Sequence, residues 1–181
     1  MEYKELTHPE KWLILGVPAL FIIGYGMHLI YDLADKITLI GILAPANESL
    51  WEHLKMLLIP MISWWCIYYE VNGKKYNINK EKWIFANVTS IMFSMLTLLT
   101  FYYTYTQAFG IKSLYLDIFD LLLSVTVGQC IGLHIYKHGK GVKIQASICI
   151  LIIFIILFVT FTFYPPHIPL FKDRASGLYG I

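Results

Sequence analysis

Five stretches of the chain are apolar on every side, with no period-2 alternation of hydrophobic and polar positions: 12–33, 50–69, 83–109, 114–136 and 142–164. Crossing roughly 30 Å of hydrocarbon as a helix takes about 20 mostly apolar residues, so each run is long enough to span. Strands of a transmembrane barrel are shorter and alternate apolar with polar positions, a pattern missing here. The sequence therefore predicts an all-α transmembrane bundle of five spans. Its connections are short, the longest at 34–47 and 70–82, and leave no room for a separate soluble domain. Residues 1–181 read as one domain with a tail at 165–181.

Composition supports this class: 57% of residues are apolar, 14% are charged, and the mean hydropathy is +0.61, which is too apolar for a soluble single-core protein. The first run is longer than the apolar part of a signal peptide. It follows Glu2, Glu5 and Glu10 and ends in Tyr31-Asp32-Leu33-Ala34-Asp35 with no small-residue cleavage site, so it reads as a retained span. Cys66, Cys130 and Cys149 fall inside spans without CxxC pairing, which argues against a zinc knuckle or a disulfide framework.

Basic residues set the expected orientation. Lys4 and Lys11 precede the first span, Lys74, Lys75, Lys80 and Lys82 follow the second, and Lys137, Lys140 and Lys143 follow the fourth. These share one side, against Lys36, Lys55, Lys112, Lys172 and Arg174 on the other, so the positive-inside rule puts the amino terminus in the cytoplasm and the carboxyl terminus outside. The net charge of +2 then divides into an inner side of +4 and an outer side of −2. Inner lysines of this kind fix topology and meet anionic membrane lipids, and nothing calls for nucleic acid.

Ionisable groups at membrane depth are costly and mark functional sites by default. With this topology, His28, Tyr31 and Asp32 end the first span at the outer face. Glu48, Glu52 and His53 begin the second there, Asp117 and Asp120 begin the fourth, and His167 follows the fifth. His28 and Asp32, four apart on a helix, share a face and suit two ligands of one metal. Each of these residues also has a plain structural role. Ser49 and Glu52 have capping-box spacing, Asn47 or Glu48 suits the same cap, and Lys55 can pair with Glu52 or snorkel. Asn87, Ser90, Ser94, Thr97 and Thr104 form a small and hydroxyl-bearing stripe expected at a close helix contact. Gln129, His134 and His138 read as interfacial residues.

The ordered elements His28-x-x-Tyr31-Asp32, then Pro45-x-Asn47-Glu48-Ser49-x-Trp51-Glu52-His53-x-Lys55, then Pro165-Pro166-x-Ile168-Pro169-Leu170-Phe171-x-Asp173 with Tyr179-Gly180-Ile181, carry a resemblance over nearly the whole chain. It resembles a family of small, uncharacterised integral membrane proteins of Gram-positive and related bacteria. Ala46 stands where that pattern has valine, a change without chemical consequence. The resemblance implies a multi-pass protein of the bacterial plasma membrane and supplies no activity.

Three function classes fit these residues. In the first, His28, Asp32 and His53 hold a divalent metal such as zinc, which activates water for hydrolysis or transfer on a lipid or lipid-linked substrate. Glu48, Glu52 and His53 are then the catalytic candidates, with Glu52 as general base, and Asn47, Tyr31, Asp117 and Asp120 orient them. No established signature such as H-E-x-x-H is present. In the second, the same groups serve a proton- or cation-coupled transporter, with Pro18 and Pro60 at points of movement. An odd number of spans precludes two equal inverted halves, and a homodimer would have to restore the symmetry. In the third, the polar layer only locks a scaffold or accessory subunit, and the tail docks a partner or packs back as a lid through Phe171 and Tyr179. The expected reading is the first, with the tail as roof.

Overall fold

The computed structural model describes residues 5–180, so Glu2, Lys4 and Ile181, used in the sequence reading, lie outside the described residues. Among these residues seven α-helices follow one another: α1 (His8–Leu33), α2 (Thr38–Leu43), α3 (Leu50–His53), α4 (Lys55–Asn72), α5 (Lys80–Tyr103), α6 (Leu114–His138) and α7 (Ile144–Phe163). A π-helical turn, Thr104–Ala108, extends α5, and a 3-10 turn, Pro169–Phe171, follows α7. Among the described residues there is no strand, only an isolated antiparallel bridge between Lys172 and Tyr179. The all-helical class is as expected.

Among the described residues four helices are long and apolar enough to cross a membrane: His8–Leu33, Lys80–Ala108, Leu114–His138 and Ile144–Phe163. The expected span at 50–69 is divided instead. One helical turn, Leu50–His53, is followed at Leu54 by tight i to i+3 bonds, Leu54 N–H to Trp51 C=O and Leu57 N–H to Leu54 C=O, before the 18-residue α4 begins. Pro60 sits inside α4, where its missing N–H frees the Met56 carbonyl.

Burial on α1 recurs at Leu13, Gly16, Leu20, Gly24, Met27 and Tyr31, every third or fourth residue, so one stripe faces the bundle. Ile14, Leu15, Ile22, Ile23, Leu29 and Ile30 stay exposed on the other face, as do Ile152, Ile153, Ile155 and Ile156 of α7. An exterior this apolar is suited to lipid.

Two cores fill the interior. Leu20, Leu54, Leu57, Leu58, Met61, Ile91, Leu121, Val125 and Phe158 form the larger. Trp65, Tyr68 and Trp83 dominate the smaller, around Leu13. The Trp83 indole N–H donates to the Trp65 carbonyl at 2.9 Å, so the ring is buried with its polar atom satisfied.

Helices α5 and α6 approach most closely, through small residues. A Cβ on Gly128 would lie 1.8 Å from Ser94 Oγ and 2.6 Å from the Ser90 carbonyl, and one on Gly132 would lie 2.9 Å from Ser90 Cβ. Small residues one turn apart let membrane helices touch backbone to backbone. The α5 stripe is thus partly as expected: Asn87, Ser90 and Ser94 are buried, whereas the Thr97 hydroxyl bonds its own helix on an exposed face. Gly128→Val is expected to destabilise the protein by about 1–3 kcal/mol through overpacking. Gly26→Ala, whose added carbon meets nothing within 4 Å, should leave the melting temperature in detergent unchanged.

Candidate functional site

At the end of the bundle where α1 finishes, His28, Glu48 and His53 converge. One ligand atom from each lies within 4.8 Å of the other two. His28 Nε2 is 3.3 Å from Glu48 Oε1 and His53 Nε2 is 3.5 Å from Glu48 Oε2. The three come from different places: His28 from the last turns of α1, Glu48 from the loop before α3, and His53 from the end of α3.

The His53 ring is oriented by its own helical turn, because Nδ1 lies 2.7 Å from the Ser49 carbonyl. A carbonyl only accepts, so Nδ1 carries a proton and the ring turns Nε2 toward Glu48. Two electron-rich atoms facing each other at that distance call for a proton or a cation between them. Histidine ligands of metals are held in this way, with the second ring nitrogen bonded to a carbonyl or carboxylate.

Glu48 is fixed by the tail. Its N–H donates to Asp173 Oδ1 at 3.2 Å, and its carbonyl accepts from Arg174 Nε at 2.9 Å. The Asn47 side-chain amide donates to the Gly180 carbonyl at 3.1 Å while its oxygen accepts from Ser49 N–H at 2.9 Å, so Asn47 ties the loop to the tail rather than orienting a ligand. The hydrogen bond from His28 holds the Glu48 carboxyl below the usual carboxylate range, with attraction to His53, His28 and Arg174 adding to it against partial burial. Partial burial would raise the Asp173 carboxyl, but hydrogen bonds from Ser176, Ala175 and Glu48 N–H outweigh it and hold this group low as well.

The cluster forms one end of a cavity of about 290 Å³ whose other walls include Leu50, Met56, Leu98, Ile118 and Leu121. Asp117, Asp120 and Arg174 also line it. Asp117 accepts from the Tyr105 hydroxyl of the π turn and lies 3.8 Å from Arg174 Nη1. Asp120 is 2% exposed and accepts from Ser124 Oγ at 3.2 Å. A π turn inside a helix often marks a functional position, and here it brings Tyr105 to Asp117.

Two expected residues lie elsewhere. Glu52, expected as the general base, is 2% exposed and turns away from the histidines. Its Oε2 accepts from Lys55 Nζ at 2.6 Å and from Ala46 N–H at 2.8 Å, and its Oε1 accepts from Thr162 Oγ1 at 2.9 Å. With both oxygens spent, it is a structural group. Its N–H meets Ser49 Oγ at 3.3 Å, so half of the expected capping box forms. Asp32, expected as a metal ligand, is exposed and, with Tyr31, lines an adjoining cavity of about 260 Å³ that shares His28 and Glu48 with the site. Tyr31 itself packs on Gly41. Glu48 takes the third place in the cluster.

Sequence placed Arg174 only among the basic residues of the expected outer side, not among the site candidates. Its signal was available: it is the only arginine in the chain, and the expected topology puts it on the side where the positive-inside rule disfavours basic residues. The tail does fold back as expected. Phe171, 5% exposed, packs at 4.9 Å from Trp51, and Tyr179 stacks on His167 at 4.5 Å.

The chain belongs to a family of unknown function, DUF6512, whose model matches residues 1–181. No curated protein and no solved structure matches it.

Two outcomes follow for these carboxylates. Lys55→Met leaves Glu52 buried and unpaired and should cost about 3–5 kcal/mol, whereas Lys55→Met combined with Glu52→Gln should cost far less, read as melting temperature. Glu48 titrates lower in the folded than in the unfolded state, so the stability it supplies is present above about pH 4.3 and is lost as pH falls through its folded value. Metal-free wild type and Glu48→Gln should therefore differ in melting temperature near pH 6 and converge in acid.

Proposed function

We propose that this member of a family of unknown function is a metal-dependent hydrolase or transferase acting on a lipid or lipid-linked substrate in a bacterial plasma membrane. It crosses the membrane five times, α4 being the remaining span, with the amino terminus cytoplasmic and the site in the extracytoplasmic leaflet. The observation that carries the reading is the convergence of His28, Glu48 and His53 at the polar end of a largely apolar cavity. Two imidazoles and a carboxylate with coordination positions left open are a donor set suited to a catalytic zinc, iron or manganese ion. Such an ion would polarise the scissile ester or phosphoester and lower the pKa of attacking water.

The chain's own groups supply the rest. Ser49 holds His53 in the tautomer that offers Nε2, and Asp173 and Arg174 aim Glu48 from the backbone. Asp120, buried in the cavity wall with a hydrogen bond from Ser124, is the proton acceptor in place of Glu52, and Asp117 is held by Tyr105. Apolar walls exclude bulk water and receive the hydrocarbon part of the substrate.

One observation favours transport instead. Ser90, Ser94 and Gln129 are buried with side-chain atoms that have no partner, and with Asp120 and Ser124 they form a polar column down α5 and α6. The column runs into Trp65 and Trp83, each 1% exposed and 4.6 Å apart ring to ring. Such a block suits a site reached from one side.

Elemental mass spectrometry of the detergent-purified protein tests the metal. Near-stoichiometric transition metal in wild type, lost in His28→Ala and His53→Ala and retained in Asp32→Ala, is expected. Well-folded wild type that binds none after incubation with zinc, iron or manganese would sink the reading.

A further inference from the structure

The cavity beside the histidines does not end at them. It shares Leu50, Tyr102, Tyr105, Asp117 and Arg174 with an outer groove of about 730 Å³ that runs beneath the tail. The two compartments differ in chemistry. The inner one is walled by leucines and opens at Tyr25 and Leu29 of α1 and Leu114 of α6, which are 46%, 52% and 67% exposed on the lipid-facing side. The outer one carries Lys112, Lys172 and Arg174.

Charges in the groove are unevenly used. Asp173 is consumed by Ala175, Ser176 and the Glu48 N–H, and Asp117 by Tyr105 and Arg174. Lys112 and Lys172 are exposed and form no ion pair among the described residues. Arg174 Nε is committed to the Glu48 carbonyl and Nη1 to the Tyr102 hydroxyl at 3.1 Å, whereas Nη2 reaches only to 4.0 Å from Glu48 Oε2. Nη2 makes no hydrogen bond among the described residues, so its donors are open to an anion entering the groove. Phosphate is the group that guanidinium binds through paired hydrogen bonds.

We infer that the site takes a lipid with a phosphate-bearing headgroup, its chain entering between α1 and α6 and its phosphate held by Arg174, Lys172 and Lys112. This deepens the metal-dependent reading above and rests on it for the chemistry, although recognition of the lipid does not itself need the metal. The apolar compartment separates such a lipid from a soluble phosphate, which would fill only the groove.

The test is binding to the full-length, metal-stripped protein in detergent, measured by native mass spectrometry. The probes are short-chain phosphatidic acid, diacylglycerol with the same chains, and glycerol 3-phosphate. Phosphatidic acid should bind at least about tenfold more tightly than diacylglycerol, equivalent to one charge-assisted contact set. Arg174→Gln should erase most of that preference and Arg174→Lys should keep part of it. Lys112→Gln with Lys172→Gln, on exposed side chains, should reduce it without affecting folding. His53→Ala should keep it. Equal affinity for phosphatidic acid and diacylglycerol, or a preference that survives both the Arg174→Gln and the double lysine variants, overturns the inference. Glycerol 3-phosphate binding as tightly as phosphatidic acid overturns the lipid assignment in favour of a soluble phosphate. A protein that prefers phosphatidic acid but binds no metal sinks the enzyme reading alone, and one that binds metal without the preference sinks this inference alone.

Discussion

An ion pair sealed away from water holds this end of the bundle together. Lys55, 1% exposed, donates from Nζ to Glu52 Oε2, the Gly41 carbonyl at 2.6 Å and Thr162 Oγ1 at 2.7 Å, and Thr162 donates in turn to Glu52 Oε1. One ammonium thereby ties α2, the start of α4 and α7, and Glu52 adds the loop through Ala46. Desolvating two such charges costs several kcal/mol each, which only close pairing and full hydrogen bonding offset. Either charge left alone in this interior would be strongly unfavourable, so the pair fixes how these elements meet. His53, one residue after Glu52 and two before Lys55, inherits its position from the lock.

The helices were legible in the sequence because continuous apolarity needs no tertiary information to be read. The interruption at Leu54 was not, since it arises from where Glu52 and Lys55 find partners on α2 and α7. The same reason separates Glu48 from Glu52. Spacing alone makes them equivalent, four apart on one nominal helix, but the helix begins at Leu50 and leaves Glu48 in a loop. Its direction is then set by Asp173 and Arg174, 125 and 126 residues away, which no local pattern contains. His28 and His53 were identifiable as lone imidazoles at the expected depth. Asp32 shares a helical face with His28 as its spacing requires, yet it lies one turn nearer the helix end, where its carboxylate remains in solvent.

Stability and the proposed chemistry fall on neighbouring but separate carboxylates. Glu52 is saturated with donors and closed to solvent, whereas Glu48 is 42% exposed, faces two imidazoles and opens on a cavity. A saturated buried carboxylate has no capacity left for catalysis, and an open one contributes little rigidity of its own. The loop from Ala44 to Ser49 can carry the open group only because the closed one anchors it at Ala46.

The contacts that aim Glu48 have a consequence for biosynthesis. Asp173 and Arg174 follow α7, so His28, Glu48 and His53 cannot be brought together until α7 and the segment after it have been made and have packed onto the earlier helices. Until then His53 lacks the Thr162 arm of the lock beside it and Glu48 lacks its backbone partners, so neither side chain is aimed. Chain order thus works as a checkpoint: the cluster assembles only in molecules whose α7 and following tail have packed into place.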